Sequence, residues 1–221
     1  MADNSKTRKH AERKTESESS SSGRSSTKSQ KRWASILEIA TNLFREKGFY
    51  ASSMQDISDA VGIKKGSLYY YVRSKEELLF EILKDLHKGG EALIEGVNLN
   101  SSDPLGELRS LLVQFGLYAA KHSTRLQIFD NDFDYVSEES KKIIISERRL
   151  YWTAVVQLIT AAIEKGQISS AIEPEVAAHA ALRTSTSVSD WYRPGGKLAI
   201  EQIAVQNAAL IVKGLANYDR P

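Results

Sequence analysis

The chain has 221 residues, of which 41% are hydrophobic and 26% are charged. This composition supplies a packed core and excludes global disorder, and the length suits one large domain or two small ones. The absence of cysteine excludes disulfides and thiolate metal sites, and no apolar stretch approaches the ~20 residues of a membrane-spanning helix. We therefore expect a cytoplasmic protein without a membrane segment.

The net charge of +2 conceals an uneven distribution. Residues 1–32 carry nine Lys and Arg against four Asp and Glu, whereas the rest of the chain has 21 basic and 24 acidic residues. Residues 1–30 also contain no Ile, Leu, Val or Phe. Such a segment cannot bury enough apolar surface to offset the entropy of ordering, so we predict a disordered, basic, Ser-rich tail over 1–30. A basic tail favours a polyanionic partner, but it also occurs without any function.

Helical periodicity begins abruptly after the tail. Apolar residues from Trp33 to Phe44 recur every three or four positions, which predicts an amphipathic helix that ends at Gly48. Ser53 can cap a short second helix, which ends at Gly62.

Helices are also predicted for the rest of the chain. A third short helix is expected over 65–71, and Ser74 caps a longer fourth helix that Gly89-Gly90 would kink or loosen. Five more are predicted at about 104–121, 124–131, 138–165, 174–190 and 199–216. No stretch alternates as a strand does, so the predicted fold is all-α with about nine helices.

Residues 53–71 have the length and composition of a helix-turn-helix, with two helices of about seven residues joined by a tight turn at Gly62. No acidic residue lies between Gly62 and Lys75, and Leu68 is spaced to face the core. Hydroxyl and ammonium groups on such a helix suit phosphate oxygens and base edges. The side chains left to face a groove are Ser67, Tyr69 and Tyr70. The alternative is that the tyrosines pack in the core, a role that we assign to Tyr71.

Short motifs follow one another in fixed order and spacing from Ile36 to Leu79. They are Phe-Arg-Glu-Lys-Gly-Phe at 44–49, Ser-Met-Gln-Asp-Ile-Ser at 53–58, Val-Gly-Ile at 61–63, Lys-Gly-Ser-Leu-Tyr-Tyr-Tyr at 65–71 and Lys-Glu-Glu-Leu at 75–78. In this the segment resembles the N-terminal DNA-binding domain of TetR/AcrR-family regulators. Lys64, where a small polar residue is commoner, and Val72, where Phe is usual, depart from the family pattern.

The resemblance implies a ligand-responsive transcriptional regulator, a repressor rather than an enzyme, that uses no cofactor. It would bind a pseudo-palindromic operator in double-stranded DNA as a homodimer and leave it when a small-molecule effector binds. The three-helix helix-turn-helix domain would occupy 31–76, and a larger helical effector-binding and dimerisation domain 77–221. The dimer would form through helices 174–190 and 199–216.

The same resemblance assigns DNA contacts residue by residue. Two side chains would hold the DNA backbone, at the starts of the second and fourth helices, and four would lie in the major groove. The backbone residues are Ser53 and Lys75, and the groove residues are Lys65, Ser67, Tyr69 and Tyr70. Lys64 is added because of its charge and its place before the third helix.

The effector pocket would lie within about 82–190. Aromatic and aliphatic candidates for its lining are Phe115, Tyr118, Phe129, Phe133, Trp152, Val155 and Val156, although residues of this kind are more often plain core than ligand contacts. The segment 190–198 resembles a loop of repressors that respond to acyl-CoA thioesters. Cations for a CoA phosphate could come from Arg125, Arg148, Arg149, Arg183 and Arg193, because guanidinium binds phosphate bidentately.

Three alternatives compete with this interpretation. One is an uncharged aromatic or drug-like effector, and another is a nucleoid-type protein that binds DNA without sequence preference. The third is a calcium loop starting at Asp130, which is disfavoured because Tyr135 occupies the glycine position of such a loop and Lys141 the position of its bidentate Glu. No metal site is therefore predicted.

Overall fold

The computed structural model describes residues 29–218, and all the secondary structure within this range is helical. The α-helices and one 3-10 helix are, in order, α1 (described over 29–47), α2 (Met54–Val61), α3 (Lys65–Tyr69), α4 (Lys75–Ala92), α5 (Pro104–Lys121), α6 (Ser123–Asp132), the 3-10 helix (Phe133–Tyr135), α7 (Glu138–Glu164), α8 (Pro174–Thr186), α9 (Val188–Trp191) and α10 (Ile200–Ala216). The predicted all-α fold, with a helix-turn-helix domain followed by a larger helical domain, is confirmed.

The described range leaves out residues at both ends of the chain. The tail predicted to be disordered lies outside the described residues, except for residues 29 and 30, which belong to α1. The helix therefore extends two residues before the predicted domain start at Lys31. Among the described helices, none combines the length and the apolar character needed to cross a membrane.

Two predicted helices end earlier than expected. The helix predicted at 174–190 is divided into α8 and α9, and beside the division the Thr186 hydroxyl donates to the Leu182 carbonyl and the Ser187 hydroxyl to the Thr184 carbonyl (2.9 and 2.8 Å). Side-chain hydroxyls that bond nearby carbonyls compete with the helical hydrogen-bond ladder. The third helix ends at Tyr69 rather than at residue 71.

The first core joins α1, α2 and α3 to the first half of α4. Ile36, Phe44, Ile57 and Leu68 are at most 2% exposed. Burying a side chain of this size stabilises the fold by about 1.5–3 kcal/mol. The α2–α3 corner is closed by Gly62, whose φ of 71° is a conformation that favours glycine.

Residues from beyond α4 complete this first core. Ile128 of α6, Val136 after the 3-10 helix and Ile144 of α7 are all buried in it. The Phe49 ring, in the turn after α1, lies 5.1 Å from the Tyr135 ring, measured between centroids. The helix-turn-helix domain is thus packed on the second domain at α4 and also at the α6–α7 segment.

The second core lies between α5, α7, α8 and α10. Leu108, Leu158 and Ala178 are fully buried there. Gly116 lets α5 approach α10 closely, since a Cβ at this position would lie 3.2 Å from the Ala204 Cβ. This core holds the C-terminal helices as one packed unit.

The α4 helix continues through Gly89 and Gly90, so the predicted kink or loosening there does not break it. A Cβ on Gly89 would lie 2.1 Å from the Tyr118 hydroxyl oxygen, and one on Gly90 would lie 3.2 Å from the Tyr151 ring. The Tyr118 hydroxyl in turn donates to the Leu86 carbonyl at 2.7 Å. Both glycines are needed because aromatic rings lie directly against the helix backbone.

Replacing Gly89 by alanine tests this packing. Helix propensity alone would favour Gly89→Ala by about 1 kcal/mol, but the added methyl group must displace Tyr118 and break its bond to Leu86. We expect a net loss of about 1–2 kcal/mol in the free energy of unfolding, measured by urea denaturation. Gly214→Ala, where a Cβ meets no atom within 4 Å, is the control and should be neutral or stabilising. Equal effects of the two substitutions would contradict the packing argument.

Candidate functional site

The α3 helix presents a polar, positively charged surface. Its Leu68 is fully buried, whereas Tyr70 is 86% exposed and Tyr69 is 46% exposed. This confirms the predicted division between an inward Leu68 and outward neighbours. The remaining members of the predicted groove-facing set are also exposed, namely Lys64, Lys65 and Ser67.

Tyr71 belongs to the core side of the same segment. Its ring stacks on that of Trp33, with centroids 5.9 Å apart and planes inclined by 7°, and it packs against the first core. The interpretation of Tyr71 as a packing residue is therefore confirmed, and the two preceding tyrosines are free to meet a partner.

Ser53 begins α2 through a reciprocal cap. Its hydroxyl oxygen accepts from the Asp56 N–H at 3.1 Å, and the Asp56 carboxylate accepts from the Ser53 N–H at 2.8 Å. A hydrogen bond from Lys47, reinforced by those from Ser53, lowers the pKa of Asp56 to about 2. Ser53 is exposed, so this fixed helix start lies at the surface beside α3.

The ammonium group of Lys75, the first residue of α4, binds backbone carbonyls of the protein itself. Its ammonium group donates to the carbonyls of Phe49, Tyr50 and Ser52 at 2.8, 3.2 and 2.9 Å, and it lies 4.4 Å from the centre of the Phe49 ring. An ammonium group has three N–H donors, and all three are used here. In this arrangement the Lys75 ammonium group fixes the α1–α2 turn, and the contact of Lys75 with the DNA backbone stays a prediction.

A cavity of about 460 Å³ lies among α4, α5, α6, α7, α8 and α9. Ligand sites of this size hold drug-sized molecules. The lining residues are Leu86, His87, Gly90, Phe115, Tyr118, Ala119, Leu126, Phe129, Asp130, Ile145, Arg148, Arg149, Tyr151, Trp152, His179, Leu182, Arg183, Thr186, Ser187, Ser189 and Asp190.

Most of the predicted pocket residues do line this cavity. They are Phe115, Tyr118, Phe129, Trp152, Arg148, Arg149 and Arg183. Val155 and Phe133, by contrast, do not line it. Val155 is fully buried in the second core, and Phe133 packs against the first core with its ring 4.9 Å from that of Phe129. Val156 is likewise absent from the lining and packs against the second core.

Two of the proposed phosphate-binding arginines lie elsewhere. Arg125 forms an ion pair with Asp85, and Arg193 donates to the carbonyls of Asp190 and Tyr192 at 3.2 and 2.9 Å. Arg148 and Arg149 remain at the cavity and are exposed, as is Arg183. The positive charge of the cavity therefore lies on its outer side, where Arg183 is 3.8 Å from the Asp130 carboxylate.

The inner wall of the cavity is aromatic and uncharged at neutral pH. Burial, with a smaller effect from the positive charge of Arg148, lowers the pKa of His87 to about 3. Burial likewise raises the pKa of Tyr118 to about 12, and it raises the pKa of Tyr151. The charged lining residues are three arginines and two carboxylates, Asp130 and Asp190, so a mostly neutral aromatic wall with a small excess of positive charge suits an amphipathic molecule better than an ion.

His87, Tyr151 and His179 are cavity residues that sequence reasoning missed. His87 occupies an apolar position of the α4 pattern, next to Leu86, so it reads as an ordinary core residue. The available signal was the adjacent Gly89-Gly90 pair, which marks a place where large side chains approach the helix. No set of three or more His, Asp or Glu side chains within 29–218 is placed to hold a metal ion.

Two family models match this chain. Residues 36–82 match the one described as bacterial regulatory proteins, tetR family, and residues 101–215 match the tetracyclin repressor-like C-terminal domain. Together they cover the helix-turn-helix and the cavity helices that follow α4.

Individual proteins agree with these matches. The HTH-type transcriptional repressor KstR2 of Mycobacterium tuberculosis is 28% identical over 185 residues, which cover 81% of this chain and 90% of that repressor. The solved structure of the ketosteroid transcriptional regulator KstR2 from M. tuberculosis has a TM-score of 0.75 at 26% identity and covers 85% of this chain and 96% of that one. The structure of AibR in complex with isovaleryl coenzyme A and operator DNA has a TM-score of 0.68 at 26% identity, with coverages of 81% and 97%.

The position of Lys75 can be tested by removing its ammonium group. Lys75→Met should lower the free energy of unfolding by about 1–2 kcal/mol, because three carbonyls, two of them in half-buried hydrogen bonds, lose a charged donor. Lys64→Met is the control, since Lys64 is exposed and its side chain makes no capping bond. Both variants are compared by thermal and urea denaturation without DNA. A Lys75→Met variant as stable as Lys64→Met would instead favour a contact of Lys75 with the DNA backbone.

Proposed function

The chain belongs to the TetR family of bacterial transcriptional regulators, which are not enzymes, and on this premise we propose that it is a repressor released from its operator by an acyl-CoA thioester. The observation that carries the effector class is the cavity with an uncharged aromatic inner wall and an arginine rim. A regulator of bacterial transcription acts in the cytoplasm, where the DNA lies.

The exposed face of α3 is the proposed sequence-reading surface. Tyr69, Tyr70 and Ser67 can contact base edges and thymine methyl groups, while Lys64 and Lys65 attract the phosphates. The capped start of α2 at Ser53 adds a second contact with the DNA backbone. Lys75 is assigned the supporting role of holding the turn that precedes Ser53.

One helix-turn-helix reads only a few base pairs, so we propose that two chains bind two related half-sites. The proposed dimer interface is formed by the 174–190 segment, now α8 and α9, together with α10. The α8 and α10 helices carry exposed apolar side chains that a second chain would cover. These are Val176, Val205 and Leu210, with 67%, 42% and 70% of their surface exposed.

An acyl-CoA thioester matches the two parts of the cavity. Its acyl group would occupy the aromatic inner part, and its phosphates would meet Arg148, Arg149 and Arg183 at the rim. The structural similarity to AibR, which was solved with isovaleryl coenzyme A, supports this class. An uncharged aromatic effector is the second candidate, because the rings of Phe115 and Phe129 form much of the inner wall.

The α4 helix provides the physical link between effector and DNA. Lys75 at its first residue holds the α1–α2 turn, while Leu86, His87 and Gly90 near its end line the cavity. An effector that displaces the cavity end of a rigid helix also displaces its other end. The effector releases the operator only if it binds the conformation of the regulator that cannot bind DNA several kcal/mol more tightly than the conformation that can.

Tyr70→Ala tests the reading surface. We expect it to weaken binding to an operator selected from a random DNA library by about 1–3 kcal/mol without changing the melting temperature, because Tyr70 is 86% exposed. Affinity for random DNA, measured in parallel by fluorescence anisotropy, serves as the control. A Tyr70→Ala variant that keeps its operator preference but is less stable would assign Tyr70 to the core. A wild-type protein that prefers no DNA sequence would favour the nucleoid-type alternative.

The arginine rim is tested by replacing Arg149 and Arg183 with glutamine in one double variant. Affinity for octanoyl-CoA should fall about tenfold, since each exposed arginine contributes modestly to phosphate binding. Affinity for octanoyl-pantetheine, which lacks the nucleotide phosphates, should change less than twofold. Arg109→Gln, on α5 outside the lining, is the control. Equal losses for both ligands, or operator release by aromatic compounds but by no acyl-CoA, would contradict the acyl-CoA proposal.

A further inference from the structure

Positive charge is concentrated in the residues just before α1 and at its start. Between Glu18 and Glu38 the sequence has no acidic residue and four cations, at positions 24, 28, 31 and 32. Residues 1–18, by contrast, carry five cations and four carboxylates and are nearly neutral. We call residues 19–32 the basic arm. Its part within the described range belongs to α1, where Lys31 and Arg32 are exposed.

The start of α1 lies beside the proposed reading helix. The Trp33 ring packs against the first core and stacks on the Tyr71 ring, with centroids 5.9 Å apart. Tyr71 in turn meets the Tyr70 ring edge to face at 5.6 Å. Tyr70 is 86% exposed on the proposed reading surface. Two ring contacts therefore connect the residue that follows the basic arm to a side chain proposed to contact base edges.

DNA bound at this place would bring its phosphates close to the basic arm. A helix in the major groove is bordered on both sides by a phosphate strand, and the minor groove lies beyond that strand. Basic arms at the start of other DNA-binding domains reach this neighbouring groove. Residues 19–28 can span at most about 33 Å, which is roughly one turn of the DNA helix.

We propose that the basic arm binds the DNA beside the half-site read by α3, with its cations on the phosphates and in the adjacent minor groove. Apart from these cations, the arm consists of Ser, Gly, Thr and Gln, which are small or polar enough for a narrow groove. This inference rests on the proposed role of α3 as the reading helix. It predicts a longer footprint and a steeper salt dependence with the same preferred sequence, because phosphate contacts carry no sequence information.

Two variants of the full chain with the same loss of charge test the arm. The arm variant has glutamine in place of Arg24, Lys28, Lys31 and Arg32, and the distal control has it in place of Lys6, Arg8, Lys9 and Arg13. Long-range attraction to DNA falls equally in both, so a difference between them reports local contacts. Each phosphate contact adds about 0.9 to the slope of log affinity against log salt concentration, so the arm variant should lose about 2–4 from this slope per chain and the control less than about 1.

Hydroxyl-radical footprinting on a selected operator with long flanks shows where the arm lies. The wild-type protein and the distal control should protect minor-groove sugars outside the half-site, and the arm variant should lose this protection while its melting temperature without DNA is unchanged. Equal salt slopes for the two variants, or retained protection in the arm variant, would overturn the inference.

The same variants separate the arm from the proposed repressor function. A wild-type protein that prefers no DNA sequence would contradict that function. The salt slopes of the two variants on random DNA would still decide whether the arm binds DNA, since phosphate contacts do not depend on sequence.

Discussion

The α4 helix is buried in two different environments along its length, and the arrangement of the rest of the molecule depends on this. Leu78, Leu79, Ile82 and Leu83 are fully buried in the first core, whereas the following turns border the cavity. Continuous backbone hydrogen bonds make one stiff rod of both halves. A Cβ at Gly89 would collide with Tyr118 and one at Gly90 would crowd the Tyr151 ring, so the aromatic wall of the cavity depends on these two glycines.

The parts of the fold that were predicted from sequence are those set by short-range spacing. Apolar residues at helical intervals located the helices, and Leu68 could be assigned to the interior because its neighbours along α3 are polar or aromatic with hydroxyl groups. The groove-facing set on α3 follows from the same periodicity. The DNA contacts themselves stay predictions, since they depend on a partner molecule.

The parts that could not be predicted depend on residues distant in sequence. Val155 and Trp152 lie one turn apart on α7, yet only Trp152 borders the cavity, and that difference is set by α5 and α8. In the sequence, Gly89-Gly90 indicates a weak point of the helix. In the structure, Gly89 instead makes room for the Tyr118 side chain against the helix backbone. The basic charge of Lys75 suggests a phosphate contact, and only the folded α1–α2 turn shows three carbonyls around its ammonium group.

The contact between Phe49 and Tyr135 constrains how the helix-turn-helix domain can move. That domain is attached to the remainder of the chain along α4 and again at this ring pair, beside the buried Val136. Ile128, Val136 and Ile144 are buried in the same core, so the domain is held over an area and on two sides of α4. A displacement of α3 relative to the cavity must therefore either carry the α6–α7 segment with it or repack that core.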